Sequence, residues 1–199
     1  LLMFLLFTTG IVPALSLRIS LSTTNFFMEG LYFGIIAVTA LFLFRIPFSW
    51  YVTFVIEARF GFNRKDVRTF LRDLFISFTI GLILTCLTLG MINWLISLPY
   101  GLPLIFLFIA FLGIVVSFLF PLVILPLFYR MDPVEEGPLK EELNQLVEKT
   151  GLKVRGIFLA DESRRSGHAN AMVSGLGSSK KIILFDTLFE KMDHGQILS

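Results

Sequence analysis

Long apolar runs, each close to the length that crosses a bilayer, constrain this chain more than any other feature. They cover residues 1–17, 31–55, 74–98 and 104–129, and a hydrocarbon core needs roughly 20 residues of helix. Because lipid offers a backbone no hydrogen-bond partner, the runs are predicted to be helices rather than strands. The expected fold is an all-α polytopic membrane protein with about four transmembrane helices.

The composition changes after Tyr129. The chain is 55% hydrophobic with 23 Phe, yet most of its Asp and Glu residues follow Tyr129. We therefore predict a membrane domain over residues 1–129 and a second domain over residues 130–199. The formal net charge of +2 is small and scattered, which argues against a nucleic-acid partner. The single cysteine allows no internal disulfide.

The distribution of basic residues predicts the orientation in the membrane. Five Lys and Arg lie in the loop from Arg59 to Arg72, whereas residues 20–30 and 99–103 contain none. By the positive-inside rule, the Arg59–Arg72 loop is cytoplasmic. Two further crossings return the chain to the same side, so the C-terminal segment is also predicted to be cytoplasmic.

The C-terminal segment is predicted to form a small α+β unit in the order helix, strand, β-hairpin and helix. Its first helix is expected to begin at Pro138 and to stop at Gly151. Strands are predicted over residues 153–160, 169–176 and 180–187, with a turn at residues 177–179 between the last two. Thr187 and Glu190 form a capping-box pattern, which predicts a last helix from Leu188 to the end of the sequence.

The strand over residues 169–176 has small and polar side chains, which suit the edge of a sheet. Its neighbour is expected to pack Ile182, Ile183 and Leu184 inward against the amphipathic helix. Unpaired N–H and C=O groups at a sheet edge can pair with an extended peptide. The residues alone therefore predict a peptide-binding edge on a helical membrane bundle.

Residues with catalytic chemistry are few. Asp161, Ser166 and His168 are the residue types of a hydrolase triad, but they lie so close together in one loop that triad geometry is not expected. The only histidines, His168 and His194, are not four residues apart, so they do not form a zinc-binding helical pair.

Three charged residues have two interpretations each. Arg164 and Arg165 either bind an anion or belong to a solvated loop, and we expect the solvated loop. Glu57 either lines an internal site or pairs with a nearby arginine, and we expect the ion pair.

Three stretches carry a resemblance to a known family: FVIEARFGFNRKD, PLFYRMDPVEEGPLKEELNQL and SRRSGHANAMVSGLGSSKKIILFDTLFE. They resemble the type I CAAX prenyl proteases, which are integral-membrane zinc metallopeptidases. The likeness covers Ile46 to Ser199, and the third stretch is the most specific because long runs match in order and spacing. The resemblance implies a membrane metalloendopeptidase that cleaves the C-terminal tails of prenylated CAAX proteins.

The resemblance also implies where the chemistry lies. In that family such a hairpin leads into a helix with H-E-x-x-H, whose histidines bind Zn²⁺ together with a later Glu. The motif is expected after Ser199, so no catalytic residue and no metal ligand are predicted here, and the fragment alone is expected to be inactive. The resemblance assigns substrate binding to Asn170, Ala171 and Met172, with His168 beside them.

Two alternatives stay open. An HtpX-type quality-control protease would share the hairpin and the zinc helix but would act on misfolded membrane proteins. A non-enzymatic membrane adaptor or a degenerate homologue would lack H-E-x-x-H after Ser199.

Overall fold

The fold, taken from a computed structural model that describes residues 10–23, 25–177 and 180–197, is mostly helical with one small sheet. The helices are α1 Ile11–Ser22, α2 Phe26–Tyr51, α3 Val67–Ile96, α4 Gly101–Leu119, α5 Leu125–Phe128, α6 Pro138–Thr150, α7 Asp186–Lys191 and α8 His194–Ile197. The strands are β1 Met131–Pro133, β2 Gly156–Ala160, β3 Ala171–Ser174 and β4 Lys181–Phe185. Two π-helical segments, Val52–Glu57 and Phe120–Ile124, follow α2 and join α4 to α5.

Within the described residues, three helical segments are long and apolar enough to cross a membrane: Phe27–Glu57, Val67–Ile96 and Gly101–Phe128. They correspond to the last three predicted runs. The helix α3, which corresponds to the third predicted run, begins earlier than residue 74, because polar residues such as Arg68 form its first turns. Most of the first run, residues 1–17, lies outside the described residues. A polytopic membrane fold is supported, and the number of four spans stays a prediction.

The chain divides into two compact units. One comprises the described part of Leu1–Phe48 with Ser77–Ala110, and the other comprises Ser49–Ile76 with Phe111–Ser199. In the first unit a Cβ added to Gly34 would lie 1.8 Å from Leu89 Cδ1, so glycine allows α2 and α3 to pack closely there. The sheet lies in the second unit, and the predicted domain boundary at Tyr129 stays a prediction.

The sheet has the strand order β1-β2-β4-β3. β1 is antiparallel to β2, β2 is parallel to β4, and β3 is antiparallel to β4. The antiparallel β3–β4 pair and the edge position of β3 confirm the predicted hairpin and its edge strand. β1 was not predicted, because three residues that include a proline have no recognisable strand pattern.

The core is built on both faces of β4. Ile183 is fully buried and packs in one cluster with Leu125 of α5. Leu184 packs in another cluster with Leu143 of α6. The expectation that Ile182, Ile183 and Leu184 all face the amphipathic helix is therefore wrong. Successive side chains of a strand point to opposite faces, and α5 covers the face that α6 does not.

The helix α6 begins at Pro138 and is capped by Gly151 at a φ of 67°, as predicted. The predicted long C-terminal helix is wrong, because α7 ends at Lys191 and the four-residue α8 follows a break. The capping box is also wrong. Asp186 Oδ1 accepts the backbone N–H of Thr187 instead, at 2.9 Å. The Glu190 carboxylate forms an ion pair with Arg64.

Candidate functional site

The open edge of β3 is set by its register against β4. Asn170 O accepts a hydrogen bond from Phe185 N at 3.1 Å, and the register continues with Ala171 opposite Leu184. Successive residues of an antiparallel strand direct their backbone groups to opposite sides. Met172 therefore turns its N–H and C=O toward β4, and its two neighbours, Ala171 and Val173, turn theirs toward the open edge.

The Asn170 side chain is hydrogen-bonded to the first outward-pointing N–H of this edge, that of Ala171. Its Oδ1 accepts the backbone N–H of Ala171 at 2.9 Å. Because both residues are exposed, breaking this hydrogen bond leaves no buried group unpaired. An incoming peptide carbonyl can therefore take the Ala171 N–H when the Asn170 amide rotates away.

A cavity of about 330 Å³ lies beside β3. Three of the four predicted substrate-binding residues line it, namely His168, Asn170 and Met172. Ala171 does not line the cavity. Its backbone N–H and C=O groups point to the open edge of β3 instead. The remaining lining residues are Thr53, Glu57, Lys65, Tyr129, Glu162, Arg165, Ser166 and Phe185. The structure therefore joins the predicted edge to a polar cavity that the sequence analysis did not detect.

The loop before α3 and the loop before β3 are paired through their backbones. Gly167 N donates to Phe62 O at 2.8 Å, and Arg64 N donates to Arg165 O at 3.2 Å. Gly61, at a φ of 72°, makes the preceding turn in a conformation that favours glycine. This pairing fixes the segment that leads into β3.

His168 is held in place by a ring contact and a backbone hydrogen bond. Its ring stacks on Phe62 with centroids 4.1 Å apart and an interplanar angle of 24°. Its carbonyl oxygen accepts a hydrogen bond from Thr187 Oγ1 at 2.7 Å. Lys191 Nζ lies 5.0 Å from the centroid of the same Phe62 ring. The imidazole is therefore positioned at the cavity while staying exposed.

Arg165 is buried, so the solvated loop expected for it is wrong. Its guanidinium donates to Asp73 and to the carbonyl oxygen of Phe128, and it lies 5.0 Å from the centroid of the Tyr129 ring. Removing one member of a buried pair costs about 3–5 kcal/mol, because the partner charge stays buried. Arg165 thus ties the β2–β3 loop to α3. The side chain of Arg164, in contrast, is 78% exposed, as expected.

Glu162 brings a carboxylate into the cavity. Its Oε2 is buried and has no hydrogen-bond partner among the described residues. Burial raises the pKa of Glu162, against the opposing effects of a hydrogen bond with Tyr129 and of the Arg165 charge. Burial and the Glu162 carboxylate both raise the pKa of Tyr129. Glu162 and Tyr129 can together hold a proton, or they can accept a hydrogen bond from a bound molecule.

Glu57 also lines the cavity. Within the described residues it forms no ion pair with an arginine, so the expected pairing is wrong. Its carbonyl oxygen accepts the N–H groups of Phe62 and Asn63 at 2.8 and 3.2 Å. These hydrogen bonds hold the end of the π-helical segment against the loop that supports His168.

The part of the chain that the structure describes contains no three His, Cys, Asp or Glu side chains placed to hold a metal ion. These residues therefore do not fit a zinc centre by themselves.

No sequence pattern indicates that Tyr129, Glu162 and Arg165 line one cavity. Tyr129 ends an apolar run and the other two lie in a loop about thirty residues later, so no spacing rule connects them. The sequence around Phe62 does carry a signal, because Gly61 and Asn63 flank it and both residue types favour turns. That turn proves to support the cavity.

Comparisons with known proteins place the chain among relatives. A family model described as "CAAX prenyl protease N-terminal, five membrane helices" matches residues 1–130, and one described as "Peptidase family M48" matches residues 133–199. A probable CAAX prenyl protease 1 of Schizosaccharomyces pombe is 31% identical over 196 residues, which cover 94% of this chain and 40% of that protein. A CAAX prenyl protease 1 homolog of Arabidopsis thaliana is 33% identical over 148 residues, which cover 73% of this chain and 35% of that protein.

A solved structure is similar along most of the chain. The crystal structure of S. mikatae Ste24p matches with a TM-score of 0.84 and 30% identity. The match covers 94% of this chain and 46% of that one. The chain therefore spans less than half the length of the relatives it matches.

Proposed function

The chain belongs to the CAAX prenyl protease family, within peptidase family M48, and on that premise we propose that it is part of a membrane-embedded zinc metalloendopeptidase. The whole protein would cleave the C-terminal tails of prenylated CAAX proteins. The names of its relatives support this substrate class, and the chain covers 40% of the first relative's length. The single observation that carries the proposal is the open edge of β3 beside the polar cavity.

The proposed substrate site is the β3 edge. An extended peptide pairs with the outward backbone groups of Ala171 and Val173, as in other complexes that add a strand to a sheet. The Asn170 amide leaves the Ala171 N–H and hydrogen-bonds the peptide instead. His168 and Met172 line the cavity that receives a peptide side chain.

The proposed orientation places the Arg59–Arg72 loop and residues 130–199 on the cytoplasmic side, in contact with membrane lipid at the ends of the spans. The positive-inside rule supports it. The zinc ligands, by the same proposal, come from residues of the whole protein outside the described ranges.

Cleavage by the full-length protein tests the function. The protein, reconstituted in phosphatidylcholine vesicles with zinc, is given a farnesylated C-a-a-X peptide, the same peptide without the farnesyl group, and an unfolded membrane protein. We expect cleavage of the farnesylated peptide, loss of cleavage with a chelator, and recovery when zinc is restored. Cleavage of the unfolded protein alone would favour the HtpX-type alternative, and no zinc-dependent cleavage of any substrate would favour a non-enzymatic adaptor.

A further inference from the structure

A second cavity, of about 430 Å³, has a strongly basic lining. Its charged lining residues are Arg72, Arg130, Arg164, Arg165 and Asp161. Tyr129 and Arg165 line both this cavity and the one beside β3, so they form the wall between the two. The basic cavity is therefore separate from the peptide edge.

Two of the arginines have a carboxylate nearby. Arg165 is paired with Asp73, whose side chain is only 14% exposed. Arg130 Nε lies 3.0 Å from Asp132 Oδ2, with both side chains mostly exposed. The terminal nitrogens of Arg130 have no hydrogen-bond acceptor among the described residues, so they stay available to a ligand.

Of the other two arginines, Arg164 has a carboxylate nearby and Arg72 forms no ion pair among the described residues. Arg72 donates to the neutral carbonyl oxygen of Leu127 at 3.2 Å. Arg164 Nε lies 4.0 Å from Asp161 Oδ2, and Asp161 Oδ1 accepts a backbone N–H at 2.7 Å. Positive charge is therefore left in excess in the cavity, in the form of guanidinium groups that suit phosphate oxygens.

The cavity lies where two predicted membrane spans end. Arg72 is in the second turn of the span Val67–Ile96, and Phe128 is the last residue of the span Gly101–Phe128. The two spans follow each other in the chain, so the start of the first and the end of the second reach the same bilayer surface. Lipid headgroups occupy this level of the membrane.

Exposed apolar side chains adjoin the basic lining. Leu71 is 56% exposed, Phe75 72% and Leu127 41%. Phe75 is three residues after Arg72, which places both side chains on the same face of α3. Acyl chains can cover such a surface, which favours a phosphate that carries lipid chains over a soluble one.

We propose that this basic cavity binds the phosphate group of an anionic phospholipid, with Arg130 and Arg164 contacting the phosphate and the apolar side chains contacting the acyl chains. Basic pockets at the ends of membrane helices bind anionic headgroups by this chemistry. Lipid binding here requires the two spans but not peptidase activity.

Isothermal titration of the full-length protein in an uncharged detergent tests the site. The three ligands are dihexanoylphosphatidic acid, dihexanoylphosphatidylcholine and inorganic phosphate. We expect phosphatidic acid to bind and phosphatidylcholine to bind much more weakly. In the double variant Arg130→Gln/Arg164→Gln the phosphatidic acid Kd should rise roughly 10- to 30-fold. Both side chains are more than 70% exposed, so the substitutions leave the core untouched.

The matched control is Arg59→Gln/Arg68→Gln, which removes two exposed arginines from the same predicted side without touching the cavity. We expect it to change the Kd less than threefold. Inorganic phosphate binding as tightly as phosphatidic acid, with the same dependence on Arg130 and Arg164, would overturn the assignment to a lipid, because the acyl chains would then add nothing. Three further results overturn the proposal: no binding of phosphatidic acid, equal binding by the Arg130/Arg164 variant, or an equal loss in the control.

Discussion

Replacing Ala171 by proline removes an N–H that points to the open edge of β3 and not to β4. The hydrogen bonds to β4 come from the neighbouring residues, Asn170 and Met172, so the β3–β4 pair should survive. A peptide on the edge would lose one backbone hydrogen bond, worth about 0.5–1.5 kcal/mol. The proline ring also bars a regular ladder at that point, which raises the expected loss to about 1–3 kcal/mol of transition-state binding.

The assay is peptidase kinetics on full-length, zinc-loaded protein with a farnesylated C-a-a-X peptide. A loss of about 1–3 kcal/mol corresponds to a kcat/KM reduced about 5- to 150-fold. Ala171→Ser is the matched control, because it keeps the N–H and should keep kcat/KM. Zinc content and the thermal midpoint should be normal in both variants. A wild-type kcat/KM for folded, zinc-loaded Ala171→Pro protein would show that the edge does not hold the substrate.

Three further predictions concern the Asn170 side chain, the Glu162 carboxyl group and the membrane topology. Asn170→Ala should lower kcat/KM about 3- to 10-fold through one lost substrate hydrogen bond, with an unchanged thermal midpoint; a lowered midpoint with normal kinetics would make the residue structural. The raised pKa of Glu162 gives stability that is present below the ordinary value of 4.5 and is lost as pH rises through the folded-state pKa. Glu162→Gln should therefore raise the thermal midpoint at pH 8 but not at pH 4, and an equal gain at both would contradict the raised pKa. Single cysteines at Ser178 and Tyr100, in a Cys86→Ser background, should react with an impermeant reagent from opposite sides of the membrane; labelling from one side would remove a crossing.

The elements that the sequence predicts best are those fixed by local chemistry. The apolar runs locate the long helices to within several residues, because an apolar run of this length satisfies its own backbone hydrogen bonds in lipid by forming a helix. Pro138 and Gly151 bound α6 because proline lacks the N–H that a first turn leaves unpaired, and glycine adopts the left-handed cap. The small side chains of β3 likewise identify the edge strand.

The features that the sequence hides depend on partners far along the chain. Arg165 is buried because Asp73, ninety-two residues earlier, meets it, and no local pattern reveals that pair. The Thr187 hydroxyl matched a capping box, yet it donates to His168 O, because the antiparallel pairing of β3 with β4 brings the start of β3 to the end of β4, where α7 begins. The cavity beside the edge follows from such contacts, so only the edge itself could be predicted.

Amide hydrogen exchange at β3 shows directly whether the open edge of this strand holds the substrate. The full-length protein is compared with and without a saturating, non-cleavable analogue of a farnesylated peptide, and exchange is resolved at Ala171, Met172 and Val173. Exchange at Val173 is expected to slow by on the order of 10-fold or more, and exchange at Ala171 is also expected to slow, because both amides become hydrogen-bonded to the peptide. Met172, already directed toward β4, should change little. Unchanged exchange at Val173 while the analogue is bound would contradict the claim that this edge holds the substrate.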